Sequence, residues 1–325
     1  MRAKNLMQAI GSTRLRDFPN LAKRVIGVPY LSREDFSPKF TTDEAERLRD
    51  LALRARGDAP APILVFGVMP RSGTNFVRDL LAQHPDVCAD PGQLYEFPLL
   101  HAGGAARAFM NEFIAMFPRN AEVLNQWDTL AMLSGAWLRE LQLEAVGKQI
   151  LLKSPHVHNL NLAPFIFPNA KIVLCLRDGR DVTESSLRTF SRWSLARKTF
   201  GQLAHEWALG TDAILSFENG GPNAHPDTIV VHYEKLVSDP DKGVLRILRH
   251  VGLNPQRYPF EKLDAMPVRG SSRSISKDTE RWQPQKKDKN FKPIGRWNSW
   301  SKTRRARFDR IAGRTLEGAG YERST

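Results

Sequence analysis

Cysteine is almost absent: Cys88 and Cys175 are the only two in 325 residues, and both sit in apolar stretches. They read as small core residues and not as a disulfide pair, which excludes a disulfide-stapled scaffold and points to a reducing, cytoplasmic setting. No apolar run is long enough to cross a bilayer. The basic first twenty residues lack an apolar h-region, so no secretory signal is expected. Internal repeats and low-complexity tracts are missing, which excludes solenoids and fibrous folds. The spacings Cys-x-x-Cys and His-Glu-x-x-His are absent and the eight histidines are scattered, so no metal is expected. A Gly-x-Ser-x-Gly hydrolase elbow is absent as well.

Positive charge is what the chain has in excess. Lys and Arg outnumber Asp and Glu by 48 − 35 = 13, a balance that attracts nucleotides, nucleic acid, acidic glycans or anionic lipid surfaces. Hydrophobic residues make up 41%, enough for a sizeable core, so global disorder is excluded.

Residues 1–40 are basic, irregular and dotted with prolines, like an arm lying loosely on a body, and peripheral membrane or partner contact is open to it. Thr41 and Glu44 have capping-box spacing and predict a helix to about Arg56, ended by Gly57 and the prolines that follow. The body then begins, dividing the chain into 1–58 and 59–325. Ile63 to Val68 is a continuous apolar run, the pattern of a parallel strand buried on both faces. A turn over Met69 to Gly73 and a helix over Thr74 to Ala82 follow. Further strands are expected at Gln149–Leu152, Ile172–Leu176 and Thr228–His232. Helices are expected at about 105–117, 129–146, 180–190, 195–217 and 304–319, and Ser271 to Lys292 reads as a polar loop. Strands alternating with helices predict an α/β fold: a P-loop-like three-layer sandwich with a central parallel sheet and helices on both faces. Ligands in such sheets bind beyond the carboxyl ends of the strands, so the functional loops are those after Val68, Leu152 and Leu176.

The first of these loops, Gly67-Val-Met-Pro-Arg-Ser-Gly-Thr-Asn-Phe76, leads into a helix N-terminus, where free N–H groups and the dipole favour an anion. Gly73 allows close backbone approach, Ser72 and Thr74 add hydroxyl donors, and Arg71 adds a guanidinium fork. A Walker A loop needs Lys and Ser/Thr directly after its second glycine. Here Thr74 and Asn75 stand there, which argues against a magnesium-dependent kinase. The segment Leu174 to Leu187 repeats the strand-to-helix grammar. Arg177 leaves the strand end, and Ser185 follows two helical turns in, so both reach one phosphate. Asp178 and Asp181 would repel phosphate and are expected to cap the helix or hold arginines.

With these residues in place the chain resembles the PAPS-dependent sulfotransferase family, whose donor is 3′-phosphoadenosine 5′-phosphosulfate. Pro70 to Phe76 is similar to the family's 5′-phosphosulfate loop, and Arg177 to Ser185 to its 3′-phosphate motif. Tyr233-Glu-Lys-Leu-Val237 resembles its Tyr-Glu-Asp-Leu segment, and Ile294-Gly-Arg-Trp297 its late Val-Gly-x-Trp element. The resemblance implies sulfuryl transfer to a hydroxyl or amine, with a saccharide, glycolipid or other polar metabolite as acceptor. It implies that Arg71, Ser72, Gly73, Thr74, Asn75 and Phe76 bind the 5′-phosphosulfate, that Arg177 and Ser185 hold the 3′-phosphate, and that Tyr233 lies near the adenine. Lys289, Lys292 and Arg296 would close over the 3′-phosphate. Arg71 and Phe76 depart from the Lys and Trp of the cytosolic animal enzymes; Arg71 resembles the glycan-acting, tyrosyl-protein-acting and many bacterial members, and Phe76 can still stack on a base.

Transfer needs cations to stabilise the leaving phosphate and a base to take the acceptor proton. Arg71 and Lys153, the latter in Leu151-Leu-Lys-Ser-Pro-His156, are the cation candidates. Glu96 and His156 are the base candidates, and the arginine-type branches resemble one another in a glutamate at the position of Glu96. His158, two residues on, is expected in the acceptor pocket or at a helix cap. Two rival readings remain at this level: a P-loop nucleotide kinase-like transferase, and a nucleic-acid-binding protein. The second rests on the basic tract from Lys277 to Arg310 with Trp282, Phe291, Trp297 and Trp300 interleaved. A lid loop followed by a basic surface helix accounts for the same tract, so nucleic acid is not expected as a partner.

Overall fold

A computed structural model describes residues 31–189, 198–267 and 292–324. The first long helix, α1 (Thr42–Arg56), starts where the capping box places it. Thr41 Oγ1 accepts from the Glu44 N–H at 3.2 Å, and Glu44 Oε2 accepts from the Thr41 N–H at 2.7 Å. Five parallel strands follow: β1 (Ile63–Gly67), β2 (Val87–Cys88), β3 (Gln149–Ser154), β4 (Lys171–Leu176) and β5 (Thr228–His232). Their order is β2-β3-β1-β4-β5, and in the registers around β1, Ile63 lies opposite Leu151 of β3 and Lys171 of β4. The chain builds one side of β1, then crosses and builds the other. The crevice beyond the carboxyl ends of β1, β3 and β4 is therefore the place where strand order reverses.

Alternation along the strands explains the three layers. Ile63, Val65, Val173, Cys175 and Val231 point to one face and pack against α2 (Thr74–Leu81), α7 (Tyr233–Ser238) and α8 (Pro240–Val251). Leu64, Phe66, Leu152, Leu174 and Val230 point to the other. That face is covered by α1, α4 (Asp128–Ala145), α6 (Phe200–Leu215) and α9 (Lys302–Gly318), with Trp127, Trp207 and Phe308 among its largest buried side chains. Two further helices, α3 (Gly103–Met116) and α5 (Gly179–Thr189), follow β2 and β4. α1 and α4 cross closely at Gly135, where a Cβ would lie 2.4 Å from the Ala52 carbonyl oxygen.

Strand and helix identities match the sequence reading, with ends displaced by a few residues. β3 runs on to Ser154 and carries Lys153 inside the sheet. The helix expected from residue 195 begins at Phe200, where Thr199 and Gln202 form a capping box; residues 190–197 lie outside the described residues. Three elements were not anticipated: β2, a two-residue edge strand too short to show a period, and the helices α7 and α8 that follow β5, the latter opening at Asp239, whose carboxylate accepts from the Lys242 N–H at 3.2 Å. Both cysteines are free. Among the described residues no helix is long and apolar enough to cross a membrane.

Candidate active site

The loop after β1 is wound tightly on itself. Ser72 is fully buried, and its hydroxyl donates to the Met69 carbonyl at 2.5 Å while the Met69 N–H reaches it at 3.1 Å. Ser72 therefore shapes the turn and does not aim its hydroxyl outward. Arg71 and Gly73 both lie in the left-handed region, at φ 85° and 97°. A side chain at Gly73 is excluded twice over, since a Cβ would lie 2.3 Å from the Tyr233 ring. Thr74 begins α2 and is buried.

The second strand-to-helix turn meets the first. Arg71 Nε donates to Ser185 Oγ at 3.0 Å, and Arg177 Nη1 donates to the Arg71 carbonyl at 2.8 Å. The Arg177 guanidinium lies over the Tyr233 ring, 4.5 Å from its centre, and Phe76 meets that ring edge-on at 5.9 Å. Both acidic residues of the segment serve the scaffold: Asp178 caps the helix and holds an arginine as expected, while Asp181 instead binds backbone of the C-terminal segment. Asp178 accepts from the Arg180 N–H and guanidinium, and Asp181 accepts from the Gly295 and Arg296 N–H groups at 2.8 and 2.7 Å. Burial pushes the Asp181 carboxyl above its ordinary value. Glu234 bridges the Asp178 N–H and the Tyr321 hydroxyl, and burial raises its carboxyl too.

The Asp181 contacts dock residues 292–297 beside the phosphate motifs. Arg177 Nη2 donates to the Pro293 carbonyl at 2.5 Å, Arg180 stacks on Trp297 at 3.7 Å, and Arg296 Nε donates to the Lys292 carbonyl at 3.2 Å. Lys292 is exposed. Lys289 lies outside the described residues, as do Trp282 and Phe291.

A separate chain of contacts runs from the phosphate loop to the base candidates. Lys153, 3% exposed, donates from Nζ to Asn75 Oδ1 at 2.7 Å and to Glu96 Oε1 at 3.2 Å, and lies over the Tyr95 ring. Burial pulls its ammonium below the ordinary lysine value, and the Glu96 carboxylate opposes that shift. Beside it, Arg78 pairs with buried Asp79 at 2.6 Å and with exposed Asp90, a network that charge counting along the sequence does not reveal.

His156 stands elsewhere in the same loop. Its ring stacks on His101 at 4.0 Å, and His101 Nδ1 and His158 Nδ1 are 3.2 Å apart. The histidines that look scattered along the chain thus converge here, because the turn after β2 and the loop after β3 pack together. Burial, then the neighbouring imidazoles and Lys198, hold His156 down at about 2 and His158 at about 4; His101 is lowered as well, by burial and Lys198.

Arg71, Arg177, Ser185, Tyr233 and the 292–297 segment therefore form one cationic, hydroxyl-bearing cradle, and Lys153, Asn75 and Glu96 form its neighbour. The donor set fits a bisphosphorylated nucleoside: two arginines from different turns, and an Arg177 Nε that is buried without a partner among the described residues.

Comparison with known proteins agrees. Residues 62–257 match the model of the sulfotransferase family. The chain is 26% identical to protein-tyrosine sulfotransferase 1 of Danio rerio, over 59% of this chain and 53% of that protein. It is also 26% identical to the nodulation protein NoeE of Sinorhizobium fredii, over 63% of this chain and 54% of that one. It thus spans about half the length of the curated relatives it matches. The sulfotransferase domain of the Synechococcus PCC 7002 olefin synthase superposes with a TM-score of 0.52 at 22% identity, covering 82% of this chain and 98% of that domain, a likeness of fold. With the family match spanning more than half of its length, from the strand before the phosphate loop to beyond α8, the chain belongs to the sulfotransferase family.

Proposed function

We propose that this chain transfers a sulfuryl group from PAPS to a hydroxyl or amine of a polar acceptor, such as a saccharide or glycolipid. The observation that supports this most is the meeting of the two strand-to-helix turns, with Arg71 Nε on Ser185 and Arg177 Nη1 on the Arg71 carbonyl. Two anion sites joined in this way suit a ligand with phosphate groups on two ends of a nucleoside. In this reading residues 59–325 carry the transfer, and residues 1–58 supply the arm and α1. A cytoplasmic setting goes with two free cysteines.

The roles follow from placement. The N-terminus of α2 and Arg71 hold the 5′-phosphosulfate, Arg177 and Ser185 hold the 3′-phosphate, and Tyr233 and Phe76 flank the base. Lys292 and Arg296 would close over the 3′ side, with Lys289 proposed alongside them. Lys153 stabilises the negative charge that grows on the leaving phosphate. Glu96 takes the acceptor proton: its carboxylate touches Lys153, which touches Asn75 of the phosphate loop, whereas the His156 ring is stacked on His101. The contact between the buried Lys153 ammonium and the partly exposed Glu96 carboxylate supports a shared location for the charge stabiliser and the proton acceptor.

Calorimetry of the purified chain with PAP, the desulfated donor, tests the reading. PAP should bind without magnesium at least about tenfold more tightly than AMP, which lacks the 3′-phosphate, and Arg177→Ala should remove that advantage. Equal affinity for PAP and AMP would overturn the proposal.

A further inference from the structure

We infer that His101, His156 and His158 form a binding site for a divalent transition-metal ion of the zinc class, with one coordination position open to solvent or acceptor. Each imidazole offers one nitrogen, and the three nitrogens lie within 4.8 Å of one another. Two nitrogens bound to zinc at about 2.1 Å on tetrahedral bonds are about 3.4 Å apart. The His101 and His158 Nδ1 atoms are already 3.2 Å apart. An all-imidazole set suits zinc, copper, nickel and cobalt over magnesium or calcium.

The site is held by its surroundings. Asn159, in the left-handed region at φ 55°, donates from Nδ2 to the Leu100 carbonyl at 2.8 Å, which ties the His158 loop to the His101 turn. Gly103 is required by that contact, because a Cβ there would lie 2.7 Å from Asn159 Nδ2. The Asn159 and Leu160 N–H groups donate to the Asp35 and Phe36 carbonyls, and the Phe36 ring packs on His158 at 4.7 Å. Contacts between the two loops and to Asp35–Phe36 thus hold the three histidines together, and the His156 ring turns off its stack on His101 to bring its nitrogen to the ion. His156 Nδ1 is buried with no partner among the described residues, which a metal bond would satisfy. Lys198, the nearby cation, is paired with Glu206 at 2.5 Å. His101 is exposed, so one side of the ion faces outward. His156 so engaged is withdrawn from proton transfer, which leaves that task to Glu96.

The inference stands apart from the sulfuryl-transfer reading, and its test needs neither donor nor acceptor. The untagged full-length chain is stripped with chelator and titrated with cobalt(II), then with zinc. One cobalt per chain should give intense visible absorption between about 500 and 650 nm, characteristic of low coordination number. There should be no thiolate charge-transfer band, and zinc should displace the signal. His101→Gln and His158→Gln should each weaken zinc binding by at least about tenfold, and His225→Gln, outside the cluster, should leave it unchanged. A weak octahedral spectrum, or a zinc affinity that the two variants do not alter, overturns the inference. The wild-type spectrum decides the matter even if the variants fold poorly.

Discussion

A methyl group added at Gly73 would lie 2.3 Å from the Tyr233 ring, on backbone whose φ of 97° already favours glycine. Gly73→Ala should therefore cost about 1–3 kcal/mol of stability and displace Tyr233, with PAP affinity falling at least tenfold by calorimetry. At Glu96 the expected cost is catalytic. Glu96→Gln should cut kcat by about 10²- to 10⁴-fold with donor KM little changed; near-normal turnover would return the base role to another group. Lys153 adds a pH dependence. Burial lowers its pKa below the usual lysine value, with Glu96 opposing, so the helpful charged form is lost as pH rises through the lowered pKa. The alkaline limb of kcat should fall earlier than an ordinary lysine allows. Lys153→Arg, which stays charged, should move that limb to higher pH, and an unmoved limb would rule Lys153 out. Residue types and spacing made Arg71, Arg177, Ser185 and Gly73 legible in the sequence, because the first, second and fourth lie in turns after strand ends that the apolar pattern marks and Ser185 lies two helical turns beyond one. The inward turn of Ser72 was not legible, nor were the Arg78–Asp79–Asp90 network and the histidine cluster, because they depend on which loops pack together.

At the scale of elements, α5 acts as a clamp for the C-terminal segment. Asp181 accepts from the N–H groups of Gly295 and Arg296, and Arg180 stacks on Trp297. Burial raises the Asp181 carboxyl above its ordinary value of 3.8. The folded chain then binds a proton where the unfolded chain has released it, so this group's contribution to stability declines as pH rises across that interval. Denaturant unfolding of wild type and Asp181→Asn across the acid range should show wild type losing ground to the variant with rising pH; parallel profiles would refute the assignment. The α1–α4 crossing is a second test. Gly135→Ala would drive a Cβ to 2.4 Å from the Ala52 carbonyl, and about 1–3 kcal/mol of destabilisation should appear as a lower Tm. The elements themselves were mostly readable. A buried parallel strand is an unbroken apolar run, and a capping box announces α1 at Thr41. What stayed hidden was short or edge-placed: β2 is too brief for a period, and β3 continues through Lys153, where a lysine reads as the end of a strand.

Across the molecule, the proposed donor site draws on four distant stretches: the β1–α2 loop, the β4–α5 turn, Tyr233 after β5, and residues 292–297. The sequence order of these stretches showed that they belong to one family pattern. Their convergence needed the strand order, which sets β1 between β3 and β4 and gathers the carboxyl ends. A ligand that touches all four should stabilise the fold as a whole and not one loop. At a hundred times its Kd, PAP should add about 2.7 kcal/mol to the free energy of unfolding. Hydrogen exchange should slow together at 67–76, at 177–185 and at 292–297, since Arg177 joins the Arg71 carbonyl to the Pro293 carbonyl. AMP offers no 3′-phosphate to Arg177 and Ser185, so it should protect the first stretch and leave the last two near their free rates. If PAP and AMP gave the same protection map, the arginine bridge would be a packing contact alone, and the two anion sites would not work as one.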